Sequence, residues 1–141
     1  MTGRIGWISL FCLWLLVLPC QADIVVVVNP QNPVAMLGHR ELVDIYMGRT
    51  QHFPNGALVL RLDQAPDSAV REAFYRALVN KSVGEVKAYW AKMLFTGRAS
   101  PPQVVDSSTS VLNAVRENAN AIGYLDSADV DGSVRIVGRV D

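Results

Sequence analysis

The sequence has few cysteines, the residues that cross-link a chain through disulfides or bound metals. It contains two cysteines, Cys12 and Cys20, and both lie within the first 22 of its 141 residues. Residues 23–141 therefore contain no thiol, which excludes disulfides, zinc–thiolate sites and cysteine nucleophiles from that range. Such a domain must rely on its hydrophobic core, and about 120 residues are enough to build one.

The sequence also lacks an excess of charge of either sign. It has 13 Lys+Arg against 13 Asp+Glu and a pI near 6.7, and its basic residues form no dense cluster. A nucleic-acid partner is therefore not expected. A hydrophobic content of 50% is too high for a disordered chain. No apolar run reaches the roughly 18–20 residues that a membrane-spanning helix needs. One globular domain remains.

Residues 1–22 have the organisation of a secretory signal peptide. Arg4 precedes a 14-residue apolar core from Ile5 to Leu18, and Pro19 follows it. This order of a cation, a short apolar stretch and a helix breaker is typical of export signals.

Small residues predict where this signal is cut. Cys20 and Ala22 occupy positions −3 and −1 relative to a cleavage before Asp23, where signal peptidase requires short side chains. The expected product is a periplasmic or secreted domain, residues 23–141. Cleavage before Cys20 to give a lipoprotein is the less favoured alternative, because a proline and a bulky leucine precede that cysteine.

Strand and helix patterns alternate along residues 23–141. The β-branched run Ile24–Val28 favours a central parallel strand that is covered on both faces. Helical periodicity and capping signals predict helices at about 38–47, 68–80, 82–96 and 108–118, and further strands are predicted at 58–62, 121–125 and 134–137. The fold class expected is α/β, as a single three-layer α/β/α lobe around a mainly parallel sheet.

Catalysis and metal binding are not expected. The sequence has no G-x-S-x-G, H-E-x-x-H or P-loop spacing, and its two histidines, His39 and His52, are expected to be solvated. Asp126, Asp129 and Asp131 do not have the spacing of a calcium loop and are expected to form a solvated turn. No enzyme activity, metal or cofactor is therefore predicted.

The start of the second predicted helix is the candidate binding site. The backbone N–H groups of Ala69, Val70 and Arg71 are free at such a helix start and lie at the positive end of its dipole, while Ser68 adds a hydroxyl. The pattern predicts an oxyanion site formed by these four residues. The alternative is that Ser68 acts only as an N-cap and that Arg71 pairs with Asp67 or with solvent.

Four short motifs occur in a recognisable order. They are Ile45-Tyr-Met-Gly-Arg49 with Phe53, Ser68-x-x-Arg-Glu-Ala-Phe74, Tyr89-Trp90, and Ala121-Ile-Gly-Tyr-Leu125. This order resembles the phosphate-binding periplasmic solute-binding proteins of ABC transporters, which have the type 2 periplasmic binding fold. The resemblance covers most of residues 24–130 and is to one lobe, the lobe that carries the serine-containing phosphate loop. A full-length member has two lobes that close on the ligand.

The loop departs from the pattern of that family. The family's loop commonly reads Ser-Gly-Thr, with an arginine four residues before the serine. Here Ser68 keeps its position, but Ala69, Val70 and Gln64 replace the glycine, the threonine and the arginine. The threonine hydroxyl and the guanidinium are lost. Without a second lobe the anion stays half hydrated, and each hydrogen bond contributes only about 0.5–1.5 kcal/mol.

The resemblance implies a function and leaves an alternative open. It implies a small exported solute-binding protein that binds phosphate or a related oxyanion weakly and is associated with ABC-type transport. A second copy could complete the cleft in a homodimer. The alternative is a ligand-free interaction module of the cell envelope, which keeps the lobe fold and binds a transporter or another envelope protein.

Overall fold

A computed structural model describes Gly3 and residues 23–141. Apart from Gly3, the predicted signal peptide lies outside the described residues, as does the lipoprotein alternative at Cys20. The described helices are α1 His39–Tyr46, α2 Ala69–Val79, α3 Val83–Phe95 and α4 Ser108–Glu117, and the strands are β1 Ile24–Val28, β2 Leu60–Asp63, β3 Gln103–Val104, β4 Ala121–Asp126 and β5 Arg135–Val140. A short 3₁₀ turn covers Ser127–Asp129. Within this part of the chain, no helix is long and apolar enough to cross a membrane.

The five strands form one sheet in the order β3-β2-β4-β1-β5. Strand β2 is parallel to both β3 and β4, whereas β1 is antiparallel to both β4 and β5. Four strands therefore run in one direction, which confirms the mainly parallel sheet. The prediction that β1 itself is parallel was wrong: β1 is internal but reversed. Burial on both faces requires covering layers and neighbours, and it does not fix a strand's direction.

Helices cover both faces of the sheet, so the three-layer prediction is confirmed. Strand β1 shows the division, because Ile24, Val26 and Val28 pack into one apolar cluster while Val25 and Val27 pack into the other. The first cluster includes side chains of α1, α2 and α3, and the second includes Val111, Leu112 and Val115 of α4. The sheet, the helices and both clusters are contained in residues 23–141.

The capping signals in the sequence act as predicted. Ser68 caps α2, and Ser82 with Glu85 forms a capping box on α3. Not every apolar residue of these helices is buried: Val70 and Ala77 of α2 are half-buried, and Leu94 of α3 is 54% exposed. On α2 the buried side also includes Arg71 and Tyr75.

Strand β3 was not predicted, because two residues are too short to show a periodicity. It forms the sheet edge beside β2, with Leu62 paired to Gln103 and Asp63 to Val104. Helix α3 lies close to the neighbouring strand β2, since the guanidinium of Arg61 in β2 lies over the ring of Trp90 in α3, 5.4 Å from the ring centroid.

Candidate functional site

The predicted site lies where β2 ends and α2 begins. Strand β2 ends at Asp63, and a short turn, in which the Ser68 N–H donates to Ala65 O at 2.9 Å, leads to the helix. Ser68 has extended backbone angles, φ −70° and ψ 126°, as an N-cap requires. The four predicted residues Ser68, Ala69, Val70 and Arg71 are therefore consecutive at the helix start, although their side chains play different roles.

Two backbone donors are free at this helix start. The Arg71 N–H donates to Ser68 Oγ at 3.2 Å, and the Glu72 N–H donates to Ser68 O at 3.2 Å. Within residues 23–141, the N–H groups of Ala69 and Val70 have no protein acceptor. These two donors are the part of the predicted site that is open to an anion.

The Ser68 hydroxyl is already engaged. Its Oγ donates to Gln64 Oε1 at 3.1 Å, and Gln64 Nε2 donates to Tyr124 O at 3.0 Å. Because a carbonyl oxygen can only accept, the second bond fixes the orientation of the amide, and Oε1 must face Ser68. The single hydroxyl proton is therefore directed to Gln64, and Ser68 offers a ligand only a lone pair.

Arg71 points into the protein. The residue is 8% exposed, and its Nη1 donates to Gln64 O at 3.0 Å while Nη2 lies 3.7 Å from Asp63 Oδ2. The expected alternative, a pair between Arg71 and Asp67 or solvent, was wrong, because Asp63 at the end of β2 is the carboxylate within reach. The Nε atom is buried and has no hydrogen-bond partner among the described residues.

Asp63 is the centre of this buried network and was not singled out from the sequence. It is 2% exposed, and its Oδ2 accepts from Tyr75 Oη at 2.7 Å. Its Oδ1 accepts from the Gln64 N–H at 2.9 Å and from Tyr124 Oη. Only the position of Asp63, next to the end of an apolar strand, hinted at such a role.

Burial and the Asp63 charge raise the pKa of both Tyr75 and Tyr124 well above the usual value. Desolvation is the larger cause, since a buried phenolate would lose its hydration beside a carboxylate. Both phenols therefore stay protonated and act as donors to Asp63 over the physiological pH range. The ring of Tyr124 stacks on Phe74, with 3.7 Å between the centroids.

The charges around the helix start do not favour an anion. Arg71 and Asp63 form a neutral pair, whereas Asp67 and Glu72 are exposed carboxylates next to the free N–H groups. No pair of a nucleophile and a base is formed, because the Ser68 proton goes to an amide oxygen. The geometry can hold a ligand by hydrogen bonds.

The other residues considered from the sequence lie elsewhere. His39 is the first residue of α1 and His52 belongs to a bridge with Leu58, and both are exposed. Asp126 accepts from the Ala128 N–H and caps the 3₁₀ turn. Residues 23–141 contain no group of three or more His, Cys, Asp or Glu that could hold a metal ion.

Solved structures share this fold. The chain matches a protein from Clostridium perfringens, described as a phosphate ABC transporter substrate-binding protein and solved with bound phosphate, at 26% identity and a TM-score of 0.67, over 82% of this chain and 44% of that chain. It also matches an ABC-type phosphate transport receptor from Vibrio cholerae at 22% identity and a TM-score of 0.66, over 82% and 45% of the two chains. PstS from Borrelia burgdorferi matches at 16% identity and a TM-score of 0.62, over 82% and 47%.

The chain resembles one lobe of a phosphate-binding transport protein. It spans less than half the length of these structures, between 44% and 47%. The matches below 25% identity establish the fold alone. These neighbours are described as binding proteins or receptors and not as enzymes. No protein-family model and no curated protein sequence matches the chain.

Proposed function

We propose that residues 23–141 form an exported oxyanion-binding domain that takes phosphate or a related anion at the start of α2. The observation that carries the proposal is the pair of unpaired N–H groups at Ala69 and Val70, on a fold shared with a structure that contains phosphate.

We propose that binding is weak, for three reasons in the geometry. The Ser68 proton is committed to Gln64, the Arg71 charge is balanced by Asp63, and one lobe covers only one side of an anion. Each remaining hydrogen bond competes with water and contributes about 0.5–1.5 kcal/mol. A second chain that completes the cleft, either another copy or a larger partner, would strengthen the binding.

Location and pathway follow from the same proposal. The signal-like segment 1–22 and the fold of the neighbours support a periplasmic domain that takes part in ABC-type transport. On this account the domain has no catalytic role, and its function is to hold a ligand or to present it.

Substitution of Ala69 by proline tests the proposal. Proline is favoured at the first helical position, and the extended backbone of Ser68 suits the residue before a proline, so the change removes one N–H and keeps the helix. Ser108→Pro is the matched control, because Ser108 is likewise the first residue of a helix capped by serine. Phosphate binding by residues 23–141 is measured by calorimetry for both variants.

The two variants are expected to behave differently. Ala69→Pro should lower phosphate affinity by about threefold to tenfold, the loss of one hydrogen bond, while Ser108→Pro should leave it unchanged. Equal affinities for both variants would overturn the site. If the unmodified domain shows no saturable response to phosphate, sulfate or phosphonate at millimolar concentration, the ligand-free interaction module becomes the better account.

A further inference from the structure

The solvent-facing side of α3 has an unusual composition. At about 100° of rotation per residue, Ala88, Ala91 and Phe95 form one stripe, with Lys87 and Lys92 along its two edges. All five side chains are exposed. Beyond the first turn, this outer side therefore consists of apolar residues and lysine, whereas a helix on the surface of a soluble domain usually has a mixed polar outer face.

The end of α3 exposes its largest apolar side chains. Phe95 is 94% exposed and Leu94 is 54% exposed. Three of the four carbonyl groups of the last turn are already bonded within the chain, and that of Phe95 is the exception among these described residues. The bonds are Arg98 N to Met93 O, Gly97 N to Leu94 O and Thr96 Oγ1 to Lys92 O, each at 3.1 Å. These three carbonyls can therefore enter a poorly hydrated layer without being left unpaired.

Beyond the first turn of α3, which contains the exposed Glu85, the charge of this region is of one sign. The sequence is balanced as a whole, yet between Val86 and Val105 it has no Asp or Glu and three cations, Lys87, Lys92 and Arg98. These cations are complementary to an anionic surface. They oppose docking of a second copy through the same face, because like charges would meet.

We propose that this surface, the outer side of α3 together with residues 95–98, docks onto a membrane that contains anionic phospholipid. Leu94 and Phe95 enter the interfacial layer, and the three cations contact the headgroups. A lipid layer fits this surface better than an acidic protein does. The exposed helix end continues into exposed residues 96–98, and none of these residues lines either described cavity. The described cavities therefore offer a partner protein's side chain no place to insert at this surface. The proposal does not depend on oxyanion binding.

Vesicle co-sedimentation tests the proposal on residues 23–141, which contain the sheet, the helices and both core clusters. Vesicles of phosphatidylcholine with and without phosphatidylglycerol are compared at low and high salt. The variants are Phe95→Ser and the double change Lys87→Gln with Lys92→Gln. Met36→Ser is the control, because Met36 is 79% exposed and its neighbour Leu37 bonds to β5, at the other edge of the sheet from β3. Circular dichroism and thermal unfolding show that each variant is folded.

The expected result is binding to phosphatidylglycerol vesicles that weakens with salt. Phe95→Ser should lower the vesicle affinity by about tenfold, and the double lysine change should lower it by about 25-fold, about fivefold for each charge removed. Met36→Ser should leave it unchanged. Absence of binding at low salt, or equal effects of Phe95→Ser and Met36→Ser, would overturn the proposal. Binding to polyglutamate without binding to vesicles would assign the surface to an acidic protein and overturn the lipid docking as well.

Discussion

The Ser68 hydroxyl donates to Gln64 Oε1 at 3.1 Å, so the serine at the start of α2 cannot also donate to a ligand. The amide of Gln64 is held in this orientation by its second bond, from Nε2 to Tyr124 O. Gln64 thus links strand β4 to the helix cap. Gln64 stands where the loop of the similar phosphate-binding family commonly has an arginine, and here its side chain forms hydrogen bonds within the domain.

Replacing Gln64 by leucine should free the Ser68 proton. We expect phosphate affinity to rise by about threefold to tenfold, since one donor is regained, while the free energy of unfolding falls by about 1–3 kcal/mol because Tyr124 O loses its partner. Calorimetry and urea unfolding measure the two effects. In a Ser68→Ala background, which has no hydroxyl, Gln64→Leu should leave affinity unchanged. A gain of the same size in that background would contradict the role given to the serine proton.

The two members of the buried ion pair should differ in their effect on stability. Asp63 keeps three further donors if Arg71 is lost, namely two phenols and the Gln64 N–H, whereas Arg71 loses its only carboxylate neighbour among the described residues if Asp63 is lost. Breaking a buried pair costs about 3–5 kcal/mol when a charge is left uncompensated.

Asp63→Ala should therefore lower the free energy of unfolding by more than Arg71→Met, in which the stem of the side chain is kept. Urea unfolding of both variants measures the difference. An equal or larger loss in Arg71→Met would show that the arginine, and not the aspartate, organises the network.

The buried phenols should make the domain sensitive to alkali. The pKa values of Tyr46, Tyr75 and Tyr124 are all raised by burial above the value of 10.0 that applies in the unfolded chain. The folded state therefore holds protons that the unfolded state releases, so stability is full below pH 10 and falls as the pH rises above it. Each phenol contributes up to about 1.4 kcal/mol per pH unit as the pH rises above that value.

Urea unfolding between pH 9 and pH 11, with tyrosinate absorbance as a second readout, checks this slope. Tyr124→Phe should reduce the slope by about a third, because one of the three buried phenols is removed. A stability that is level across this range would contradict the burial of the three hydroxyls.

Much of the fold was predictable from the sequence because the signals were local. The unbroken run Ile24–Val28 indicated a strand with both faces covered, and serine caps placed the starts of α2 and α3 to within a residue. The direction of β1 depends on which strands pair with it, and this is a long-range property that no local pattern contains.

The site was predictable in its backbone and less so in its side chains. The position of the free N–H groups follows from where a helix begins, so Ala69 and Val70 could be named from the sequence. The partner of Arg71 could not, because Asp63 lies eight positions earlier on a strand. The spacing of Arg71, Tyr75 and Leu78 on one face of α2 was the available signal that the arginine is buried.

Removing the charge of Asp67 should strengthen anion binding. Asp67 is exposed and directly precedes the cap of α2, so Asp67→Asn should raise phosphate affinity by about twofold to fivefold at low salt and by less at high salt. Asp106 is the matched control, since it directly precedes Ser107, the cap of α4. Both variants should lose a similar few tenths of a kcal/mol, up to about 1 kcal/mol, from the free energy of unfolding. Calorimetry at two salt concentrations measures phosphate affinity for both variants. If Asp106→Asn raised phosphate affinity as much as Asp67→Asn, the site would not lie at the start of α2.

A phosphate titration of residues 23–141, followed by backbone amide shifts in NMR spectra, tests the central claim most directly. The start of α4 provides an internal comparison, because Ser108 and Thr109 occupy the same helical positions behind a serine cap as Ala69 and Val70. We expect saturable shifts that are largest at the amides of Ala69 and Val70. Shifts no larger there than at Ser108 and Thr109 would contradict an oxyanion site at the start of α2.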